Sequence, residues 1–199
     1  MKKISFLAVV IILALIACND KKPGEKTTIT SNDGKEKVTI DPKNIQSMAV
    51  EMEKKKEELS KLTPLTNDEL KALLPESISG TARTDLNVSN AMGAGLAHAQ
   101  YEMNDSTDIR IDIYDCAGTA GAGIYSMQYL AMWDMQQETE TEYTKTIDFN
   151  GGEGFEHCHK INGRCTLTYF AGGRFLVSIE GRHTGIDALK KAAGELDLK

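Results

Sequence analysis

Tryptophan occurs once in these 199 residues, proline and cysteine four times each, and basic side chains are outnumbered by acidic ones, 23 to 29. Each shortage excludes something. So little proline, with 17 glycines in no fixed period, rules out collagen-like and proline-rich disordered chains. Setting aside residues 1–17, which carry Lys2 and Lys3 and no acid, leaves 21 basic against 29 acidic side chains and a net charge of −8. No nucleic-acid partner is expected, because neutralising phosphates needs a basic face. The one long apolar run lies at the N-terminus, so a multi-span membrane protein is excluded. No serine sits in Gly-x-Ser-x-Gly or Ser-x-x-Lys and there is no His-Glu-x-x-His, so hydrolase signatures are missing, no catalytic residue is assigned and no cofactor is implied. What remains, 41% hydrophobic and 26% charged residues, suits one globular domain.

Lys2 and Lys3 precede an unbroken apolar segment, Phe6 to Ala17, whose twelve residues are too few for a hydrocarbon core of about 30 Å. Residues 1–17 read as a signal peptide. The segment ends Leu15-Ile16-Ala17-Cys18, which resembles the lipobox of bacterial lipoproteins. That resemblance implies that Cys18 becomes the lipidated first residue, carrying palmitate-type acyl chains. At about 0.8 kcal/mol per buried methylene, several chains anchor a protein stably where a single one does not. Asn19 is not the aspartate that retains lipoproteins in the inner membrane, so the expected location is the cell envelope, at the outer membrane.

Residues 18–41 hold Lys, Glu, Thr, Asp, Asn and Gly with few large apolar side chains, and are expected to be a flexible tether. Thr27–Thr30 and Lys37–Ile40 flank Asn32-Asp33-Gly34 as a candidate hairpin, with only Ile29, Val38 and Ile40 to bury. Asp41-Pro42 is a good helix start, and residues 42–75 are expected to form a helical arm. Its first helix, 42–62, carries Ile45, Met48, Met52, Leu59 and Leu62 as a narrow seam, with pairs Glu51 to Lys55 and Glu57 to Lys61. Thr66-Asn67-Asp68-Glu69 is a capping box opening a short second helix, 67–74, whose Leu70, Leu73 and Leu74 are expected to dock onto the main domain.

In residues 76–199 the apolar period changes to two. Ala97, Ala99, Tyr101 and Met103 alternate with polar residues, as do Ile109, Ile111 and Ile113. A helix buried on most sides is expected from Ile124 to about Gln137, including Met127, Leu130, Met132, Trp133 and Met135. Four strands follow, 142–149, 153–161, 164–170 and 174–181, joined by Asn150-Gly151, Asn162-Gly163 and Gly172-Gly173. A final helix begins at Thr184 and Asp187, with Ile186, Leu189, Ala193 and Leu196 on one face. The expected class is α+β: a mostly antiparallel sheet of about six strands packed with two helices, preceded by the helical arm and lipidated tether.

Leu74-Pro75-Glu76, the hairpin ending at Asp115, and Gly172-Gly173-Arg174-Phe175 resemble a family of uncharacterised bacterial envelope lipoproteins. Over about three fifths of the chain the element order is similar to PsbP-like folds. That resemblance implies an accessory or binding module.

Once Cys18 is lipidated, Cys116, Cys158 and Cys165 remain. Cys158 and Cys165 straddle Asn162-Gly163: a two-residue turn sets them diagonally, a four-residue loop from Lys160 to Gly163 sets them opposite, and only the latter suits a disulfide. Pairing of Cys116 with either one is the alternative; otherwise Cys116 is a buried, inert thiol. His157 and His159 point the same way along a strand and could ligate a metal with His98 or His183 as a further donor, but no metal site is assigned and the favoured reading is exposed histidines on a wet face. Cys158 faces the other way, so one ion could collect it with the histidines only across a bulge. Gly118, Gly121 and Gly123 precede a helix at the wrong spacing for a phosphate loop and are expected to allow tight strand-to-helix passage. Glu138, Glu140, Glu142 and Asp148 lack a calcium-loop pattern and read as a solvated acidic face.

The expectation is therefore a membrane-anchored, non-catalytic binding or accessory module for an envelope protein or a small ligand. The alternative is a metal-binding or thiol-redox protein using the His157–Cys165 hairpin.

Overall fold

The computed structural model describes residues 27–30, 37–40, 42–91, 93–131 and 136–198. The signal segment, Cys18, Asn19, the Asn32-Asp33-Gly34 turn, Asp41, and Met132, Trp133 and Met135 lie outside these residues. Among the described residues no helix is long and apolar enough to cross a membrane.

Two compact units meet between Glu51 and Met52. In the first, β1 (Thr27–Thr30) pairs antiparallel with β2 (Lys37–Ile40), Ile29 standing opposite Val38 and Thr27 opposite Ile40. The candidate hairpin is thus formed within the segment expected to be tether. Helix α1 runs Pro42–Ser60.

The second unit, Met52–Lys199, includes most of the expected arm, because the arm's leucines are core residues. Leu59, Leu70 and Leu74 are buried, each such side chain contributing about 1.5–3 kcal/mol. Leu62 falls beyond the end of α1 and is exposed. Along α1, Lys61 pairs with Glu57 at 2.7 Å as the spacing predicts, whereas Lys55 reaches Glu58 rather than Glu51. The Thr66 capping box opens α2 (Asn67–Ala72): the Thr66 hydroxyl accepts from the Glu69 N–H, and the Glu69 carboxylate accepts from the Thr66 N–H at 2.8 Å.

A short ladder of β3 (Ser77–Ile78) and β4 (Thr81–Ala82) leads to the main sheet. The sheet contains β5 (Asp85–Ala91), β6 (Ala94–Asn104), β7 (Thr107–Asp115), β8 (Gln136–Glu138), β9 (Glu142–Phe149), β10 (Gly152–His159), β11 (Arg164–Ala171) and β12 (Phe175–Arg182). Its order is β5-β6-β7-β12-β11-β10-β9-β8, antiparallel throughout. The class is α+β as expected, but the strands number eight rather than about six. Both additions are edges. In β5 Leu86 and Val88 are partly buried against the core, and β8 is three exposed polar residues, so neither shows the full alternation of an inner strand.

Alternation assigns the two faces. One carries Ala97, Ala99, Tyr101, Ile109, Ile111, Ile113, Leu167, Tyr169, Val177 and Ile179, packed with Leu70 and with Leu189, Ala192 and Ala193 of α4 (Ile186–Gly194). The other carries Tyr114, Phe155, Phe170 and Leu176 near one end, packed with Leu59 and with Ala122 and Tyr125 of α3 (Gly118–Ala131). Four helices therefore contribute core side chains, two on each face: the two expected to pack on the sheet and the two of the expected arm.

Two helix expectations need correction. Helix α3 starts six residues before Ile124 and is one-sided: Ala122 and Tyr125 are buried while Met127 and Leu130 are 76% and 61% exposed. Gln136 and Gln137, read as its end, belong instead to β8. At α4 the N-cap is Gly185, without a side-chain cap; the buried Thr184 hydroxyl is turned to the Asp108 and Arg182 carbonyls instead.

Candidate functional site

The second face is apolar only where α1 and α3 cover it. Beyond Phe155 and Phe170 its outward positions become charged or hydroxylic. A continuous register crosses seven strands: Gln100, Arg110, Glu180, Thr166, His157, Thr144 and Gln137 stand side by side. Glu180 is flanked by Arg164 at 3.4 Å and Arg110 at 3.9 Å. Arg182 holds Asp108 at 2.9 Å, and His98 meets Asp112 at 2.7 Å. Apart from the exposed Gln137 and Arg164, these side chains are half-buried, forming a paired, polar platform with apolar core behind it.

At its β9–β10 end the platform gathers two imidazoles and a carboxylate. The two-residue turn Asn150-Gly151, with φ of 52° and 79°, sets the β9–β10 register. It places Glu142 opposite His159 and Thr144 opposite His157. His157 Nε2 and His159 Nε2 are 3.2 Å apart, His159 Nδ1 lies 3.1 Å from a Glu142 oxygen, and His157 Nδ1 lies 2.8 Å from the Thr144 hydroxyl. One donor atom from each of Glu142, His157 and His159 falls within a 4.8 Å circle. The spacing of His157 and His159 anticipated their shared face. Glu142, read as one of a solvated acidic group, is the third member, and neither His98 nor His183 joins them. His98 is on β6, with β7, β12 and β11 between it and β10; His183 begins the loop after β12.

The other candidates are placed apart. Cys158 and Cys165 form a disulfide, S–S 2.12 Å, on the core side of the same strands, with the four-residue loop 160–163 setting them directly opposite. Cys116 is a buried free thiol whose pKa burial pushes up to about 12. Gly118, Gly121 and Gly123 lie within the first turns of α3, not in a loop before it. A Cβ on Gly121 would meet the Cys116 carbonyl carbon at 2.5 Å and the Asp115 carbonyl oxygen at 2.6 Å, which accounts for that glycine by packing. Of the remaining acids, Glu138 pairs with Lys160 at 2.7 Å, while Glu140 and Asp148 are exposed. On the core face, Glu156 is fully buried between Lys145, at 3.1 Å, and Lys190 of α4. A cavity of about 160 Å³ lies between Tyr169, Ala171, Ala193 and Leu198, well below the several hundred Å³ typical of small-molecule sites.

Compared with known proteins, the chain matches no family model, and neither the curated proteins nor the solved structures include a significant match.

Proposed function

We propose that the chain is a lipid-anchored protein of the bacterial cell envelope, held at the outer membrane through acylated Cys18. Its α+β unit is a non-catalytic binding module that offers the open half of its sheet to an envelope protein or a small ligand. The carrying observation is the polar platform itself, where Arg110, Arg164 and Arg182 alternate with Asp108, Asp112 and Glu180 over half-buried threonines. Paired charges held rigid by a sheet favour a partner of matched charge pattern and reject others. The lipobox-like Leu15-Ile16-Ala17-Cys18 and the Cys158–Cys165 disulfide fit an oxidising compartment outside the cytoplasm. The resemblance to envelope lipoproteins with PsbP-like domains favours the same accessory role. A thiol-redox role is less favoured, since both half-cystines are buried.

The test is made in cells. A photo-crosslinking residue at Thr166, central on the platform, should yield a discrete adduct that the same residue at Lys191, exposed on α4, does not. Cys18→Ala should abolish labelling by a fatty acid analogue and release the protein from the membrane fraction. Equal adducts from both positions would refute the platform, and undiminished lipid labelling would refute the anchor.

A further inference from the structure

Going beyond that reading, and independent of any partner, the geometry points to a transition-metal site on this face: Cu²⁺ or Zn²⁺ held by the Nε2 atoms of His157 and His159. Imidazole nitrogens suit both ions, and Cu²⁺ stands highest in the affinity order for nitrogen ligands. Two nitrogens 3.2 Å apart, each about 2.05 Å from one ion, subtend about 103° at it, near the tetrahedral value.

The surroundings of the two rings carry the inference further than their proximity. Without an ion, a 3.2 Å contact between two Nε2 atoms needs a hydrogen on one of them. With both rings neutral it is not on His159: that tautomer would turn a bare Nδ1 lone pair toward the Glu142 carboxylate 3.1 Å away. The hydrogen is therefore on His157 Nε2, and the chain of donors runs from the Thr144 hydroxyl to His157 Nδ1, from His157 Nε2 to His159 Nε2, and from His159 Nδ1 to Glu142.

An ion between the rings replaces that one hydrogen. It needs both Nδ1 atoms protonated, and both have an acceptor in place: Glu142 already accepts from His159, and the Thr144 hydroxyl has only to rotate to accept from His157. Solvent carries the proton from His157 Nε2 to Nδ1, so the ring charge is unchanged and no net proton is released. Outer partners of this kind fix ring orientation and raise ligand basicity, and losing one typically costs 10–100-fold in metal affinity. His159 and Glu142 side chains are 39% and 40% exposed, so the ion has an entry path and its other positions face water.

The experiment titrates CuCl₂ and ZnCl₂ into the full-length chain, extracted in detergent and free of histidine tags, by calorimetry and by histidine ring ¹⁵N NMR. One equivalent should bind saturably. Affinity should fall at least tenfold in His157→Gln and in His159→Gln, and about tenfold in Glu142→Ala, while His98→Gln leaves it unchanged. On Zn²⁺ addition the His157 ring should change from the Nε2–H to the Nδ1–H tautomer and the His159 ring should not. The inference is overturned by binding that survives in a folded His157→Gln, His159→Gln double variant. It is equally overturned by a folded wild type that binds neither ion saturably, or by a His157 Nε2 that still carries its hydrogen in the loaded protein. A missing adduct at Thr166 would leave all of these readings untouched, so failure of the binding platform and failure of the metal site are separable.

Discussion

Arg174 grips Asp115 with two parallel hydrogen bonds, Nε to Oδ1 at 2.9 Å and Nη2 to Oδ2 at 2.7 Å, and Asp115 is wholly buried at the end of β7. The same carboxylate accepts from the Leu65 N–H at 2.8 Å and the Ala117 N–H at 3.1 Å, while Arg174 also donates to the Thr63 carbonyl. One ion pair thus joins the α1–α2 connection, the entrance to α3 and the β11–β12 turn. Asp115→Asn keeps the shape but leaves a guanidinium without its counter-charge. It should lower stability by about 3–5 kcal/mol, read from the shift in urea midpoint. Arg174→Lys should recover only part of the difference, because an ammonium cannot make the paired contact.

Two glycines of α3 give a matched comparison. Gly121 has backbone where a Cβ would go, so Gly121→Ala must push the helix off the sheet and should cost about 1–3 kcal/mol. Gly123 has open space there and an ordinary helical conformation; Gly123→Ala should raise stability by about 0.4–1 kcal/mol. Thermal melts of the two variants should move in opposite directions.

The disulfide closes a short loop, the cysteines being seven residues apart, so the chain-entropy model gives it about 2–3 kcal/mol. A Cys158→Ala, Cys165→Ala double variant should melt correspondingly lower yet remain folded. In the native wild type Cys116 should resist iodoacetamide, because burial holds its thiol protonated to about pH 12. Mass spectrometry should find a single alkylation only after denaturation.

Alkaline pH should be the weak side of this fold. Burial raises the pKa of Tyr101, Tyr114, Tyr143 and Tyr169 above the usual 10.0, and a hydrogen bond to Glu156 raises that of Lys145 above 10.5. In each case the folded state holds its proton more tightly than the unfolded one. The stabilisation is complete below the unfolded value and is lost as pH climbs through the folded value. Phenolate absorbance should lag behind that of free tyrosine above about pH 10 and then rise together with loss of the circular dichroism signal. Lys145→Gln should narrow the difference in melting temperature between pH 9 and pH 11.

Much of this was legible beforehand where a signal was local and strong. The Thr66 capping box, the alternation of β6 and β7, and the Asn150-Gly151 turn each act through residues adjacent in sequence. What was missed depends on partners distant in the chain. Leu70 and Leu74 are expected to dock onto the main domain and do, but nothing nearby in the chain shows which sheet face buries them. Methionines and leucines around Met127 read as a buried helix because hydropathy does not say that one side of α3 is left open. Glu142 is the instructive case. Counting back from the two-residue turn places it opposite His159, so the register held the third member of the cluster, but a run of acids drew the reading toward solvent.

The outermost strand β8 has consequences for crowding. Open sheet edges can zip copies of a protein into fibres. Here that edge is only Gln136, Gln137 and Glu138, all exposed, and Glu138 is bonded to Lys160. Three hydrophilic residues offer too short and too well-hydrated a template for a second chain to add a strand. At this end of the sheet, pairing therefore stops at β8 instead of inviting a further strand.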